Sequence, residues 1–403
     1  MPPTLKRFGQ RLLIAGGALA IGAALWLPVL SLLFRPARAE YLAPPNAVPA
    51  LAQRLAEHQL SLWEDPAARA EEIARMRRTN AEWDFMARTF FVLSLANLSL
   101  RDPGQADRYL AVMDRVIAET EAIEAQEGHL HFLMDYARAS PFVEESQRSV
   151  FVDGEIALMI GARRLVREEP AYADGFAERI AHLRRQMEAG PVHCGESYPN
   201  ECWMFCNAVA LAAMALSDAL DGTDHRAFFD DWLASARENL IHRDSAMLVS
   251  SFTWEGSAID GPEGSSIFMT AHCLRLIDAQ FAMEQYALAR EQLGFHILGF
   301  GLAREWPASW QGPMDVDSGP VVPVIGASAG ASGLALLGAA SFDDDAYLGR
   351  LVASLEFAAF PVTEDGRQRF AAANQVGDAV VLYALVEGPL WARILESQRE
   401  TRP

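Results

Sequence analysis

The chain has 403 residues, 51% hydrophobic and 22% charged, enough for a large buried core and too little charge for a disordered linker protein. Its 34 Lys and Arg stand against 53 Asp and Glu, and the net charge of −19 repels phosphate backbones and anionic headgroups, so no nucleic-acid partner is expected. Four cysteines are too few for a disulfide scaffold, and with neither CxxC spacing nor a nearby HxxxH they predict no metal site.

From Leu12 to Phe34 there is no charge and hardly a polar side chain. About 23 residues at ~1.5 Å each give ~35 Å, the thickness of a bilayer's hydrocarbon, so residues 12–34 are predicted to form one transmembrane helix or signal anchor. Lys6, Arg7 and Arg11 precede it and Arg35 and Arg38 follow. That bias keeps residues 1–11 cytoplasmic and puts the bulk on the periplasmic or extracellular side of an inner or plasma membrane. The competing reading is a cleaved signal peptide, since Ala37-Arg38-Ala39 has the small-x-small form of a cleavage site. The anchor is favoured because a signal peptide's apolar region runs only ~7–15 residues. Residues 35–49, with Pro44, Pro45 and Pro49, read as a stiff linker, and 50–403 as the folded domain.

Past residue 50 apolar residues recur at helical spacing and no convincing run alternates as a strand would, which predicts an all-α domain. Amphipathic helices are expected near 47–61, 64–78, 104–126, 171–189, 225–240, 282–298, 343–357 and 389–399. Six further segments are apolar or small nearly all round and must be buried on every side: Phe85 to Leu100, Gly154 to Val166, Cys202 to Leu220, Ser266 to Ala279, Val321 to Ala340 and Ala371 to Val386. Each is followed by an amphipathic helix, which suggests a hairpin array. An open solenoid would leave a solvent-facing stripe on its inner layer, so a closed (α/α)6 toroid of six inner and six outer helices fits better than a HEAT-like solenoid or an irregular bundle.

Polar residues gather at the N-terminal ends of the buried helices: Asn80, Glu82 and Asp84; Asp153 and Glu155; Tyr198, Asn200 and Glu201; Trp254, Glu255, Asp260 and Glu263; Asp315 and Asp317; Asn374 and Gln375. Parallel inner helices would bring these ends to one mouth, where Asp84, Trp254, Glu255, Glu263, Asp315 and Asp317 are candidate substrate-binding residues. Taken singly, each acid is accounted for by helix capping. Capping does not call for Trp254, Trp306, Trp310 and Tyr198 beside the acids, and aromatic walls with carboxylates suit an uncharged, partly apolar or sugar-like ligand. His129, His131 and His272 read as surface or core residues.

The run His193-Cys194-Gly195-Glu196-Ser197-Tyr198-Pro199-Asn200-Glu201-Cys202-Trp203-Met204-Phe205-Cys206-Asn207 leads into the third buried helix. A helix beginning near Pro199 would put Cys202 and Cys206 one turn apart on one face, with Cys206 and Asn207 below the mouth near Glu201. A thiol there could move protons or attack a substrate. Equally, both cysteines could be small apolar packing residues, or Cys194 could pair with one of them in an oxidising compartment.

The Tyr198-Pro199-Asn200-Glu201 stretch running into Trp203, Phe205, Cys206 and Asn207 resembles the linalool dehydratase/isomerase domain family over most of residues 75 to 390. The resemblance implies an (α/α)6 barrel and a cofactor-free, metal-independent lyase or isomerase that removes water from, or isomerises, a terpene alcohol through cavity cysteines helped by acid, Tyr and His side chains. Cys206 matches the family's cysteine before Asn, while Ser197, Cys194 and Cys202 compete for the place of the other. The opening Phe151-Val152-Asp153-Gly154-Glu155 is more acidic than a terpenoid lining calls for.

The chemistry expected is protonation of a leaving hydroxyl by an acid such as Glu201 or Asp153, with Glu155 a further catalytic candidate. The Cys206 thiolate or a second carboxylate then removes the adjacent proton. Tyr198, Asn200 and Asn207 would bind the small-molecule alcohol, terpenoid or sugar. Two alternatives remain open: a glycoside hydrolase-like toroid using Glu155, Glu201, Asp315 or Asp317, and a membrane-tethered binding domain without catalysis.

Overall fold

A computed structural model of the chain describes residues 3–314 and 318–400. Two helices, α1 (Pro3–Leu33) and α2 (Arg38–Tyr41), precede the pair α3 (Ala50–Glu64) and α4 (Pro66–Arg77). Five hairpins follow, each an apolar helix and then an amphipathic one: α5 (Ala81–Arg101) with α6 (Ala106–Glu127), α7 (Val150–Val166) with α8 (Ala173–Ala189), α9 (Met204–Asp221) with α10 (Arg226–Asn239), α11 (Gly264–Leu274) with α12 (Ala279–Gln292), and α13 (Ala329–Ser341) with α14 (Asp345–Ala358). The chain closes with α15 (Gln375–Val386) and α16 (Pro389–Glu400).

The six apolar helices form a toroid-like circuit. Helices α5, α7, α9, α11, α13 and α15 each pack on the next, and α15 packs back on α5. Burial on all sides follows from their composition: α7 is buried from Val150 through Arg164, and α9 from Met204 through Ser217. Gly161, where a Cβ would collide with Leu216, lets α7 and α9 approach closely.

Short links (102–105, 167–172, 222–225, 275–278 and 342–344) join each inner helix to its outer partner. Long ones (128–149, 190–203, 240–263, 293–328 and 359–374) return the chain to the next inner helix. Short connections force antiparallel neighbours, so the inner N-termini share one end, the mouth, and the C-termini the other, the floor.

Helix α16 lies across that floor. The Leu390 N–H donates to Asn97 Oδ1 of α5 (3.0 Å), the Trp391 ring N–H to the His272 carbonyl of α11 (3.1 Å), Arg393 to the Leu165 carbonyl of α7 (2.9 Å) and Ser397 to the Ala219 carbonyl of α9 (3.2 Å). It is therefore not the outer partner of α15 that its amphipathic pattern suggests. That place goes to α3, which packs on α15 and whose Gln59 donates to the Gln375 carbonyl at 3.2 Å.

The domain is mostly helical, as expected, and among the described residues the long links also carry three small antiparallel sheets that the sequence reading did not expect: β1 (Cys202–Trp203), β2 (Ser251–Phe252) and β3 (Ala258–Asp260); β4 (Gly294–Ile297) with β5 (Phe300–Ala303); and β6 (Pro361–Glu364) with β7 (Arg367–Phe370). Strands of two to four residues are too short to show a period of two. The helix expected over 282–298 stops at Gln292 because Leu298 and Gly299, both at positive φ, turn the chain into a hairpin. The helix expected from Val321 begins at Ala329, since Pro323 interrupts the run and Ser328 caps the helix by accepting from the Ala331 N–H at 2.9 Å.

Helix α1 is long and apolar enough to cross a membrane, and none of Phe8–Leu27 is buried against the domain. Helix α9 passes the same length and composition test but is a core helix. The end of α1 meets the domain through Phe34, whose ring lies 5.0 Å from Phe357 and 6.2 Å from Phe300.

Candidate active site

Backbone hydrogen bonds gather the mouth ends of successive inner helices. The Val150 N–H donates to the Glu196 carbonyl (2.8 Å), Met204 N–H to the Ser250 carbonyl (2.8 Å), Glu263 N–H to Ser250 Oγ (2.8 Å) and Gly264 N–H to the Glu305 carbonyl (2.7 Å). Each helix start is thus held by the loop of its neighbour, which fixes where the first-turn side chains point.

Three side chains near those helix starts are coupled electrostatically. Cys206, in the first turn of α9, feels the carboxyls of Glu155 on α7 and of Glu82 on α5, two places away in the circuit. Glu155 is in turn felt by Cys273 on α11, again two places away. Cys206 is thus within electrostatic reach of both the Glu155 and Glu82 carboxyls, and Glu155 within reach of Cys273.

Burial pushes the Glu155 carboxyl up to about 8, and the Thr89 hydroxyl beside it offsets little of that, so at neutral pH Glu155 is an undissociated acid. Burial also pushes the Cys206 thiol well above its ordinary range, with the Ser197 hydroxyl in contact with the sulfur. A thiolate general base at Cys206, expected from sequence, is therefore disfavoured. Of Ser197, Cys194 and Cys202, Ser197 is the one whose side chain works against the rise of the Cys206 thiol.

The Tyr198 hydroxyl donates to Glu82 and accepts the Met134 N–H at 3.0 Å, and its ring stacks on Tyr136 at 4.6 Å. Burial, then the Glu82 carboxyl, hold that phenol protonated. Above them Glu201 accepts from the Trp203 ring N–H and from the Tyr136 hydroxyl (3.4 Å), at the half-exposed rim.

Other predicted residues are placed differently. Asp84 turns outward, accepting from Arg88 Nε at 3.1 Å with Arg77 at 3.7 Å, and Asp153 is clasped by Arg148 (2.7 Å) and Arg179 (2.8 Å). Glu124 on α6 completes that cluster. Two residues along a helix turn by about 200°, so Asp84 and Asp153 face the outer layer where Glu82 and Glu155 face the interior. Asn207 is consumed by structure: its amide donates to the Gly195 (3.0 Å) and Trp203 (2.9 Å) carbonyls and accepts the Gly195 N–H (2.7 Å). Asn200 is an exposed turn residue at positive φ that accepts the Trp254 N–H at 3.2 Å; Trp254 is buried, and Glu255 is exposed. Asp315 and Asp317 lie outside the described residues.

Glu263 stands in a second cluster at the start of α11. Its carboxyl touches that of Asp260, which also accepts from the Trp306 ring N–H at 3.1 Å and the Gly261 N–H at 2.6 Å. Burial outweighs these donors and pushes Asp260 up to about 6. Because Ser250 binds both Met204 and Glu263, this cluster adjoins the first around the mouth.

Sequence reasoning selected Asp84 over Glu82 and left Asp260 out of the site. Arg88, four residues after Asp84 on the same helix face, was the readable signal that Asp84 was already paired. Cys202 lies in β1, before the helix begins at Met204, so it shares no helix face with Cys206.

All four cysteines are free and buried, so no bridge from Cys194 is formed. Burial pushes Cys194 up to about 12 and raises the Cys202, Cys206 and Cys273 thiols well above their ordinary range. Alkylation of the native chain at pH 7 is therefore expected to run on the order of 10³-fold slower than in denaturant, followed by the mass of the adduct. Fast labelling of one native thiol would show that a cysteine is open and activated.

His272 sits on the floor, with Nδ1 2.6 Å from Ser341 Oγ, Nε2 2.7 Å from the Tyr383 hydroxyl and its ring stacked on Trp391 at 4.4 Å. It is a satisfied core residue, as the sequence reading expected.

Among solved structures, the unsaturated glucuronyl hydrolase of Bacillus sp. GL1, responsible for degradation of glycosaminoglycan, is similar at 12% identity and TM-score 0.53 over 83% of this chain and 96% of that one. A structure of UGL with dGlcA-Glc-Rha-Glc matches at 14% identity and TM-score 0.51, over 76% of this chain and 86% of the other. At such identities the likeness concerns the fold. The family model for linalool dehydratase/isomerase matches residues 168–376, a segment that contains Ser197, Cys206 and the Asp260–Glu263 pair. With the Ser197–Cys206 contact inside the matched half of a helical ring, the chain belongs to the linalool dehydratase/isomerase family.

Proposed function

We propose that this protein is a membrane-tethered enzyme that dehydrates or isomerises an alcohol by acid/base chemistry inside an (α/α)6 toroid, with α3, α6, α8, α10, α12 and α14 as its outer helices. The observation that carries the reading is Glu155, a carboxyl kept protonated by burial, facing the ring interior in electrostatic reach of Cys206. In this reading Glu155 donates its proton to the substrate hydroxyl, the C–O bond breaks and water leaves. Glu82, oriented by the Tyr198 hydroxyl, takes a proton from the adjacent carbon as the C=C bond forms. Water re-enters at another carbon for isomerisation. In this reading the neutral Cys206 thiol and the Ser197 hydroxyl face the carbon skeleton of the substrate.

The glycosidase alternative is weakened for the Asp260–Glu263 pair by its geometry. Carboxyls in hydrogen-bond contact leave no room for the ~5–9.5 Å separation that a glycosidic bond and water demand.

In this reading residues 12–34 stay in the membrane, 1–11 are cytoplasmic, 35–49 link, and 50–403 form a periplasmic or extracellular domain. The test is loss of water from a panel of terpenoid and simpler alcohols, followed by mass spectrometry with the full chain in vesicles. Glu82→Gln is expected to lower kcat by about 10²-fold or more with little change in KM. Undiminished kcat in that variant would remove Glu82 from the mechanism.

A further inference from the structure

Apolar side chains exposed on a soluble face are ordinarily scattered. Here they are not. Outside α1, eleven large hydrophobic side chains are exposed among the described residues, and ten of them belong to the mouth end. Ile259, Leu298, Val324 and Phe360 stand in the long links, and Phe357 in the last turn of α14, which ends at the mouth; the exception is Met283, in the first half of α12 toward the floor.

The same end receives α1. Phe34 packs on Phe357 and on Phe300, and Ser31 lies against Gly299 at the tip of the β4–β5 hairpin. Phe34 is also the last residue of the uncharged run that starts at Leu12, so in a bilayer it sits at the boundary between hydrocarbon and headgroups. Its partners Phe300 and Phe357 must then lie at that same level, where aromatic rings are favoured.

We propose that the rim of the mouth rests in the interfacial layer of the bilayer, so that the ring opens toward lipid and takes an alcohol apolar enough to partition into the membrane. This inference rests on the reading of α1 as a retained span, and it adds to the proposed dehydration the source of the substrate. The net charge of −19 makes a zwitterionic surface a better match than an anionic one. A rim seated on a second copy of the chain would cover the same side chains without reference to α1, whereas the shared position of α1 and the rim selects the bilayer.

The test uses the full chain in phosphatidylcholine vesicles, with nitroxide attached to Leu298→Cys, Val324→Cys or Phe360→Cys, and to Met283→Cys as the reference; the buried native thiols stay unlabelled. The ratio of collision rates with oxygen and with a water-soluble nickel chelate is expected to be several-fold higher at the three rim positions than at 283. Equal ratios at all four positions would overturn the proposal. So would rim labels shielded from both relaxants and broadened by a neighbouring label, the signature of a second copy. None of these readouts requires turnover, so a failure to find any dehydrated alcohol would sink the catalytic reading and leave this one standing or falling by itself.

Discussion

Replacing Glu155 by Gln is expected to lower kcat by about 10²–10⁴-fold while making the protein more stable in alkaline solution. The two effects have one origin. Burial raises the carboxyl from 4.5 to about 8, so the folded chain holds a proton that the unfolded chain has released at any pH between those values. Below 4.5 both states are protonated and the group is neutral to stability. As pH rises toward 8, only the unfolded state gains by ionising, and the parent's stability falls by as much as roughly 4–5 kcal/mol before levelling off. Gln keeps the shape and cannot ionise, so it avoids that loss.

Denaturant midpoints of the two proteins should coincide near pH 3.5 and separate by pH 9 in favour of Glu155→Gln. Asp260 and Asp378, raised by burial to about 6 and about 7, act in the same direction but are present in both proteins and cancel from the difference. In the parent, turnover should fall as pH climbs past about 8, because the acid must be protonated to donate. A Gln variant less stable than the parent at pH 9 would mean that Glu155 is ionised in the folded state, and the assignment of the general acid would go with it.

Trp391→Ala is expected to cost about 3–5 kcal/mol, within the range of large core truncations. The indole is fully buried, stacks on His272 at 4.4 Å and donates to the His272 carbonyl at 3.1 Å. Removing it opens a cavity beneath α11 and leaves a buried carbonyl without its donor, so the loss should sit toward the upper end. For a chain of this length the melting midpoint would drop by roughly 5 °C at ~2.1 cal/mol/K per residue. A shift within about 1 °C would mean that α16 is peripheral to the ring.

The ring itself was legible in the sequence because six segments lack a charged face, and such a helix has nowhere to go but inside. Which amphipathic helix fills which outer place was not legible. Helices α3 and α16 carry similar one-sided patterns, and only packing assigns one to the wall beside α15 and the other to the floor. The rim sheets escaped notice because strands as short as β1 and β2 have no readable period.

In the site, Glu155 and Cys206 could be picked out from position alone, and the structure places them in electrostatic reach of one another. Asp153 could not be judged, since its partners Arg148 and Arg179 come from a loop and from α8. Separating Glu82 from Asp84 needed the helix phase, which the start of α5 at Ala81 sets and the apolar pattern leaves loose by a residue or two.

The floor helix has a consequence for biosynthesis. A polypeptide made from its amino end releases Pro389–Glu400 after all six ring helices, and these residues bond to α5, α7, α9 and α11 together. Until they emerge, the underside of the barrel is an open greasy well, and the nascent domain is a client for holding chaperones rather than a finished fold. A premature stop near codon 388 would spare every helix of the ring, yet it should yield aggregate in place of a folded domain.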